Sequence, residues 1–233
     1  MKVSIIIPVF NEQATIYEIV TKVKVAKLPV GFSREIIVVD DASTDKTRAI
    51  LKKMKIQTIL HRFNRGKGAA IVTGVSKSKG DLILIQDADL EYNPQDYIRL
   101  LTPFKDKNCL VVYGSRLMDY PLVLFGHNKT PLPFHWLANK FLTLLTNVLY
   151  GNSVTDMETC YKVFRSSIFK SLNIQAKRFD FEPEVTAKIL RRGIKILEIP
   201  IKVKPRDYTQ GKKIGWQDGL VAIWTLFKYR FVK

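Results

Sequence analysis

The sequence predicts an α/β fold, a mostly parallel central sheet flanked by helices, with amphipathic helices toward its C-terminal end. Three observations predict it. Strand-like and helix-like segments alternate through the first 115 of 233 residues. The strand-like segments are apolar throughout instead of alternating with polar residues, so both sheet faces must be covered. Apolar residues make up 46% of the chain, enough for a full core.

The elements follow in order. "VSIIIPVF" (3–10) reads as a strand, and "NEQATIYEIVTKVKVAK" (11–27) as a helix with Ile16, Ile19, Val20 and Val23 on one face. "REIIVVDD" (34–41) is the second strand, and "STDKTRAILKKMK" (43–55) a helix entered through Ser43 or Thr44. "IQTILH" (56–61) is a third strand, and "KGAAIVTGVSKS" (67–78) a helix opening among glycines. "DLILIQ" (81–86) is the fourth strand, and Asn93 with Pro94 starts another helix as cap and first-turn proline. "CLVVYGS" (109–115) is the fifth strand. The rhythm then changes. A Pro- and Gly-punctuated loop (121–134) leads to an apolar helix, "HWLANKFLTLLTNVLYG". "CYKVFR" is a strand, "EPEVTAKILRRG" a helix stopped by Gly193, and "IKILEIPIKVK" a strand. A basic loop (205–213) precedes a last helix over about 215–231. There is no internal repeat or low-complexity linker, so the chain reads as one domain.

The formal charge is +17, which a fold does not require and which points to anionic partners: phosphate-rich ligands, lipid surfaces or nucleic acid. Cys109 and Cys160 form no metal-type or redox-type pair and read as reduced thiols. The N-terminal apolar run is too short for a secretion signal, and no run reaches the length of a membrane span, so the expected location is cytoplasmic.

In an open α/β sheet, ligands bind beyond the carboxyl ends of the strands. Three polar clusters stand at such ends: Asn11–Glu12, Asp40–Asp41 and the acids of "QDADLE". Asp87, Asp89 and Glu91 alternate and would repel one another across one side of an extended chain unless a cation lies between them. Their oxygens suit Mg²⁺ or Mn²⁺, with a nucleoside diphosphate completing the shell. Asp40, Asp41 and Glu12 could take ribose or base, or cap helices. Arg65 and Lys67 lie where a diphosphate would meet a helix start. No G-x-G-x-x-G follows the first strand and no P-loop is present, while His61, His127 and His135 are scattered, which argues against dinucleotide, P-loop and zinc chemistry.

With these clusters in view, the chain resembles family-two glycosyltransferases of the GT-A fold, and within them the dolichyl- or polyprenyl-phosphate hexose synthases. The resemblance rests on "IIIPVFNE", "IIVVDDASTD", "NRGKGAA", "QDADLEYNP", "YGSR", "TDMETCYKVFR", "FEPEVTAK" and "PRDYTQGKKIGW", in that order along nearly the whole chain. It implies an inverting, metal-dependent transfer of mannose or glucose from an NDP-sugar (GDP-mannose or UDP-glucose) to dolichyl or polyprenyl phosphate. Residues 1–115 would bind the nucleotide-sugar and 116–233 the acceptor. Carried over, Pro8, Phe10, Glu12 and Asp41 line the nucleoside with Asp40 close by, and Lys67 and Ala88 belong to the same donor site. Asp87 and Asp89 hold the metal. Glu91, standing where many mannosyl enzymes have Gln, is a third possible ligand and leaves the donor open. Arg116 and Arg206, with His135, Lys212 and Lys213, meet the acceptor phosphate. Asp89, Arg116, Arg206 and Asp156 form the catalytic set. Asp156 and Glu184 match acidic family positions without a fixed role. A lipid phosphate is already ionised near neutral pH, so such a transfer needs no general base.

The last helix offers Trp216, Leu220, Ile223, Trp224, Phe227 and Phe231 on one stripe, with Lys228, Arg230 and Lys233 at its end. That pattern suits an interfacial helix on the anionic inner face of a membrane, with core packing or a homo-oligomer contact as the alternative. A glycosyltransferase acting on a saccharide or other hydroxyl, with Asp156 as base, is the near functional alternative. A nucleic-acid-binding module is the distant one: charge permits it, but no familiar motif supports it.

Overall fold

The structure is a computed structural model that describes residues 1–118, 123, 133–204, 206 and 215–232. Its centre is a seven-stranded sheet. The strands are β1 (Lys2–Val9), β2 (Ser33–Asp40), β3 (Thr58–Leu60), β4 (Leu82–Ile85), β5 (Val111–Ser115), β6 (Lys162–Arg165) and β7 (Ile196–Pro200). Their order across the sheet is β3-β2-β1-β4-β6-β5-β7. β1 pairs in parallel with β2 and β4, β2 with β3, and β5 with β7. β6 alone runs antiparallel, between β4 and β5. The expected mostly parallel sheet is therefore present, with the segment after residue 116 inserted into it.

The apolar strands are covered on both faces. On one face Ile5, Ile7 and Leu84 pack with α1 (Ile16–Val25), α2 (Thr47–Lys53) and α4 (Tyr97–Leu101). On the other, Ile6, Val39 and Ile83 pack with α3 (Lys67–Ser76), α6 (Ser166–Ser171) and α7 (Phe181–Arg191). Successive residues Ile5, Ile6 and Ile7 are fully buried while pointing to alternate faces, each stabilising the fold by about 1.5–3 kcal/mol as an upper bound. A smaller third cluster joins α5 (Pro133–Tyr150) to α8 (Trp216–Phe231) through Leu142, Ala222 and Leu226, with Met157 and Ala187.

Helix starts differ from the sequence reading: α2 begins at Thr47 instead of Ser43, and α5 at Pro133 instead of His135. The first helix starts at Ile16, because the chain first turns at Glu12, whose carbonyl accepts the amides of Thr15 and Ile16. α6 lies in a six-residue stretch too short for its periodicity to register.

Candidate active site

The loops after β1, β2 and β4 converge on one cleft of about 1120 Å³. The backbone of each is unusual. Asn11, Ala42 and Leu90 have φ of 52°, 65° and 66°, a region L-residues seldom occupy and one that clusters at functional sites. Pro8, Phe10, Glu12 and Asp41 line the cleft on one side, and Lys67, Asp87, Ala88, Asp89 and Glu91 line its floor. Arg116, His135 and Arg206 also reach it. The structure thus gathers most of the residues picked from sequence. Lys212 and Lys213 lie outside the described residues.

Asp41 organises the loop before α3. Its carboxylate accepts the amides of Arg65 (2.9 Å) and Gly66 (2.6 Å) and faces His61 Nδ1 at 2.6 Å. Gly66 has φ of 93°, and a Cβ there would come within 2.3 Å of the Lys177 carbonyl oxygen, so only glycine fits. Lys67 then enters the cleft floor. Its ammonium lies 3.0 Å from both Asp87 and Glu182 and 3.1 Å from Cys160 Sγ. Burial opposes the Lys67 charge, but Asp87, Cys160 and Glu182 together outweigh it and hold the ammonium protonated. The same pair keeps Asp87 ionised: burial pushes its carboxyl up, and Lys67 pulls it below its usual value.

Asp89 has the opposite balance. Burial, then the charges of Asp87 and Glu91, push its pKa up to about 7. Its Oδ1 accepts the Glu91 amide at 3.1 Å, and its Oδ2 meets Arg206 at 3.2 Å. Arg206 spans the strand ends. Its guanidinium also grips both oxygens of Glu12 (3.1 and 3.2 Å), and its amide donates to Glu91 Oε1 at 2.9 Å. Arg206, expected at the acceptor phosphate, therefore rests on the strand-end acids Glu12 and Asp89.

Carboxylates that are buried and crowded, one with its pKa pushed up to about 7, are short of positive charge. Carboxylate oxygens are also the donors that Mg²⁺ and Mn²⁺ prefer. The donor set at Asp87 and Asp89, with Glu91, fits such an ion. Among the described residues no three acidic, histidine or cysteine side chains form a cage by themselves, so the remaining ligands would come from diphosphate and water.

Two sequence assignments are corrected. Asp40, expected beside the nucleoside, is fully buried and does not line the cleft. Arg48 Nε (2.8 Å) and the Ser43 amide (3.0 Å) hold its Oδ1. Asp156, expected in the catalytic set, is fully buried behind the wall. Arg116 takes both its oxygens through Nε (2.7 Å) and Nη2 (2.8 Å), and the Arg116 amide adds a third bond at 2.9 Å. Burial raises the Asp156 carboxyl, but Arg116 outweighs it and holds it below its usual value. An acid so engaged orients Arg116 and is a poor proton acceptor. Glu184 is likewise structural: it accepts the Gln175 amide at 2.8 Å and pairs with Lys188.

Sequence reasoning missed Glu158, Cys160, Arg178 and Glu182, all of which line the cleft. Glu182 and Arg178 flank the start of α7, and Glu158 and Cys160 precede β6. The signal was available in "ETCYKVFR" and "FEPE", since acids beside apolar runs reach the same strand-end cleft, but β6 had to be placed beside β4 to show it.

Comparison with known proteins agrees with this geometry. The chain is 30% identical over 216 residues to an undecaprenyl-phosphate 4-deoxy-4-formamido-L-arabinose transferase of Edwardsiella ictaluri, an alignment covering 90% of this chain and 62% of that protein. It is 28% identical over 216 residues to an uncharacterized protein of Methanocaldococcus jannaschii, covering 91% and 85%. Its fold matches glucosyl-3-phosphoglycerate synthase from Mycobacterium tuberculosis in complex with Mn²⁺, UDP and phosphoglyceric acid. That match has a TM-score of 0.77 at 18% identity, over 100% of this chain and 79% of that one. The same enzyme with Mg²⁺ and UDP gives 0.74 at 17%, over 100% and 80%. The family model for glycosyl transferase family 2 matches residues 4–172, and the chain belongs to that family, with its GT-A fold.

Proposed function

We propose that this chain transfers a sugar from a nucleoside-diphosphate donor to a polyprenyl phosphate, with inversion, at the surface of a membrane. One observation carries the reading. A single cleft joins paired acids at the strand ends to Arg116, Arg206 and two helices that keep several large apolar side chains exposed. Trp216, Trp224 and Phe231 on α8 are 76%, 68% and 71% exposed, and Phe134, Phe141 and Val148 on α5 are also exposed. Apolar stripes of that kind beside the basic Lys228 and Arg230 suit a lipid interface. No helix among the described residues is long and apolar enough to cross a membrane, and these faces offer a way of meeting a lipid acceptor at a surface. The relatives named for undecaprenyl phosphate support the acceptor class. Their sugar also widens the expected mannose or glucose to include an amino-sugar pentose.

The chemistry follows from the residues. Pro8, Phe10 and Glu12 hold the nucleoside, and Lys67 stands beside the diphosphate. Asp87 and Asp89, with Glu91, would hold a divalent ion, which supplies positive charge to the departing diphosphate. Arg116, fixed by Asp156, presents a permanent charge to the acceptor phosphate and screens two anions that must approach each other. Arg206 has the same use once freed from Asp89. The attacking phosphate oxygen brings its own negative charge, so the engagement of Asp156 costs the reaction nothing. By contrast, the hydroxyl-acceptor alternative loses the base it was assigned. Incubation with a panel of NDP-sugars, polyprenyl phosphate and Mn²⁺ should yield a lipid-linked sugar, abolished by EDTA. Transfer to a free saccharide but not to the lipid phosphate would overturn the reading.

A further inference from the structure

Glu158 stands apart from the other acids of the cleft. It lines the cleft, yet its Oε1 is shut off from solvent and has no hydrogen-bond partner among the described residues. The nearby Lys162 does not satisfy it. That ammonium donates to the carbonyls of Met157 (2.8 Å) and Thr159 and lies 4.3 Å from the Tyr113 ring centroid. Thr159, the next residue, spends its hydroxyl on the Gly114 carbonyl. A buried carboxyl oxygen left without a donor costs about 1–3 kcal/mol, so the site is complete only when something brings a hydrogen to it.

Its position says what brings it. Glu158 lines the same cleft as Glu182 and Arg116 and sits within electrostatic reach of both, as well as of Lys162 and Asp156. Glu182 is bound to Lys67 and through it to Asp87, the donor-diphosphate side. Arg116 is the acceptor-phosphate side. The transferred sugar must lie between those two anions, since one of its bonds breaks toward the first and forms toward the second.

Resting on the function proposed above, we infer that Glu158 is a specificity residue, whose carboxyl accepts a hydrogen bond from a hydroxyl or amide N–H of the transferred sugar. Burial and Glu182 push its pKa up to about 7, which burial without a donor would produce and which a sugar hydrogen would relieve. With no positioned donor among the described residues, the bond is left to the ligand. A sugar lacking that hydrogen leaves the oxygen unpaired again and is rejected.

Two measurements test it. Calorimetry compares the binding of NDP and of NDP-sugar, with Mn²⁺, to wild type, Glu158→Ala and Glu158→Gln. Transfer assays then compare a series of deoxy-sugar donors. NDP should bind all three proteins alike, whereas the extra affinity from the sugar should fall about tenfold or more in Glu158→Ala. Wild type should discriminate against one deoxy donor by a similar factor, and the alanine variant should lose that discrimination at the same position. Should Glu158→Ala fail to fold, Glu158→Gln carries the test: it keeps the volume, and it should alter the ranking of donors at that one position. Unchanged sugar preference in a folded variant overturns the inference while leaving the transferase reading intact. Failure of wild type to bind any NDP-sugar overturns both.

Discussion

The two walls of the cleft are built by different means. The strand-end wall is held by charged hydrogen bonds: Asp41 ties the loop before α3, Lys67 bridges Asp87 and Glu182, and Arg206 bridges Glu12 and Asp89. The wall from α5 and α8 is held by a small apolar cluster and leaves large side chains in solvent. The first is preorganised for one ligand geometry, while the second offers area without direction. A sugar nucleotide needs the first kind of surface and a long hydrocarbon chain the second, so the contrast suits the proposed reaction, whose substrates would differ as much as the walls do.

The largest test of the contrast lies in the strand-end wall. Asp89→Ala should reduce transfer by at least about 100-fold and abolish Mn²⁺-dependent NDP binding, with the fold unchanged by circular dichroism. Retained transfer would show that the acids serve only the fold. In the proposed reaction Arg206 serves both walls. Arg206→Ala should raise the KM for polyprenyl phosphate about 10- to 100-fold, with a smaller effect on the donor KM. An effect confined to the donor would assign Arg206 wholly to the acids it touches here. The apolar wall should respond only to lipid. Trp224→Ala should weaken binding to acidic vesicles by roughly tenfold and leave NDP binding unaltered. Equal flotation of both proteins at low salt would remove α8 from the membrane contact.

The smallest effect is one of pH. Asp156 has a lowered folded pKa, so its contribution to stability is present above the ordinary carboxylate range and lost on acidification through the folded value. Glu158 has a folded pKa of about 7, so its contribution is full below the unfolded value of about 4.3 and is lost as pH rises through 7. Thermal melts of Glu158→Gln against wild type should therefore show the variant gaining relative stability across that interval. Parallel curves would mean that Glu158 titrates normally.

Much of the strand-end wall was legible because its residues are local. An apolar strand followed at once by acids fixes both the fold class and the edge at which those acids stand, as "IIVVDD" and "LILIQDAD" do. Roles that depend on distant partners were not legible. Neighbouring Asp40 and Asp41 look equivalent in sequence, but one meets Arg48 behind the wall and the other the loop amides before α3. Asp156 looked available until Arg116, forty positions earlier, was found on both its oxygens. Glu158 and Glu182 were passed over for the reverse reason: only the sheet's strand order brings their segments to the cleft.

That order has a consequence for how the protein is made. β4 and β5 are joined through β6, and β7 through β5, so Lys162–Arg165 is the seam between two parts of one sheet. On a ribosome, the edges of β4 and β5 must wait unpaired until that seam emerges, during a period when strand edges invite wrong partners. A chain interrupted before the seam could already pair β3, β2, β1 and β4, but its acids would lack Glu182, the second partner of Lys67, and Arg206, which ties Glu12 to Asp89, so the strand-end wall is finished only by residues made after the seam.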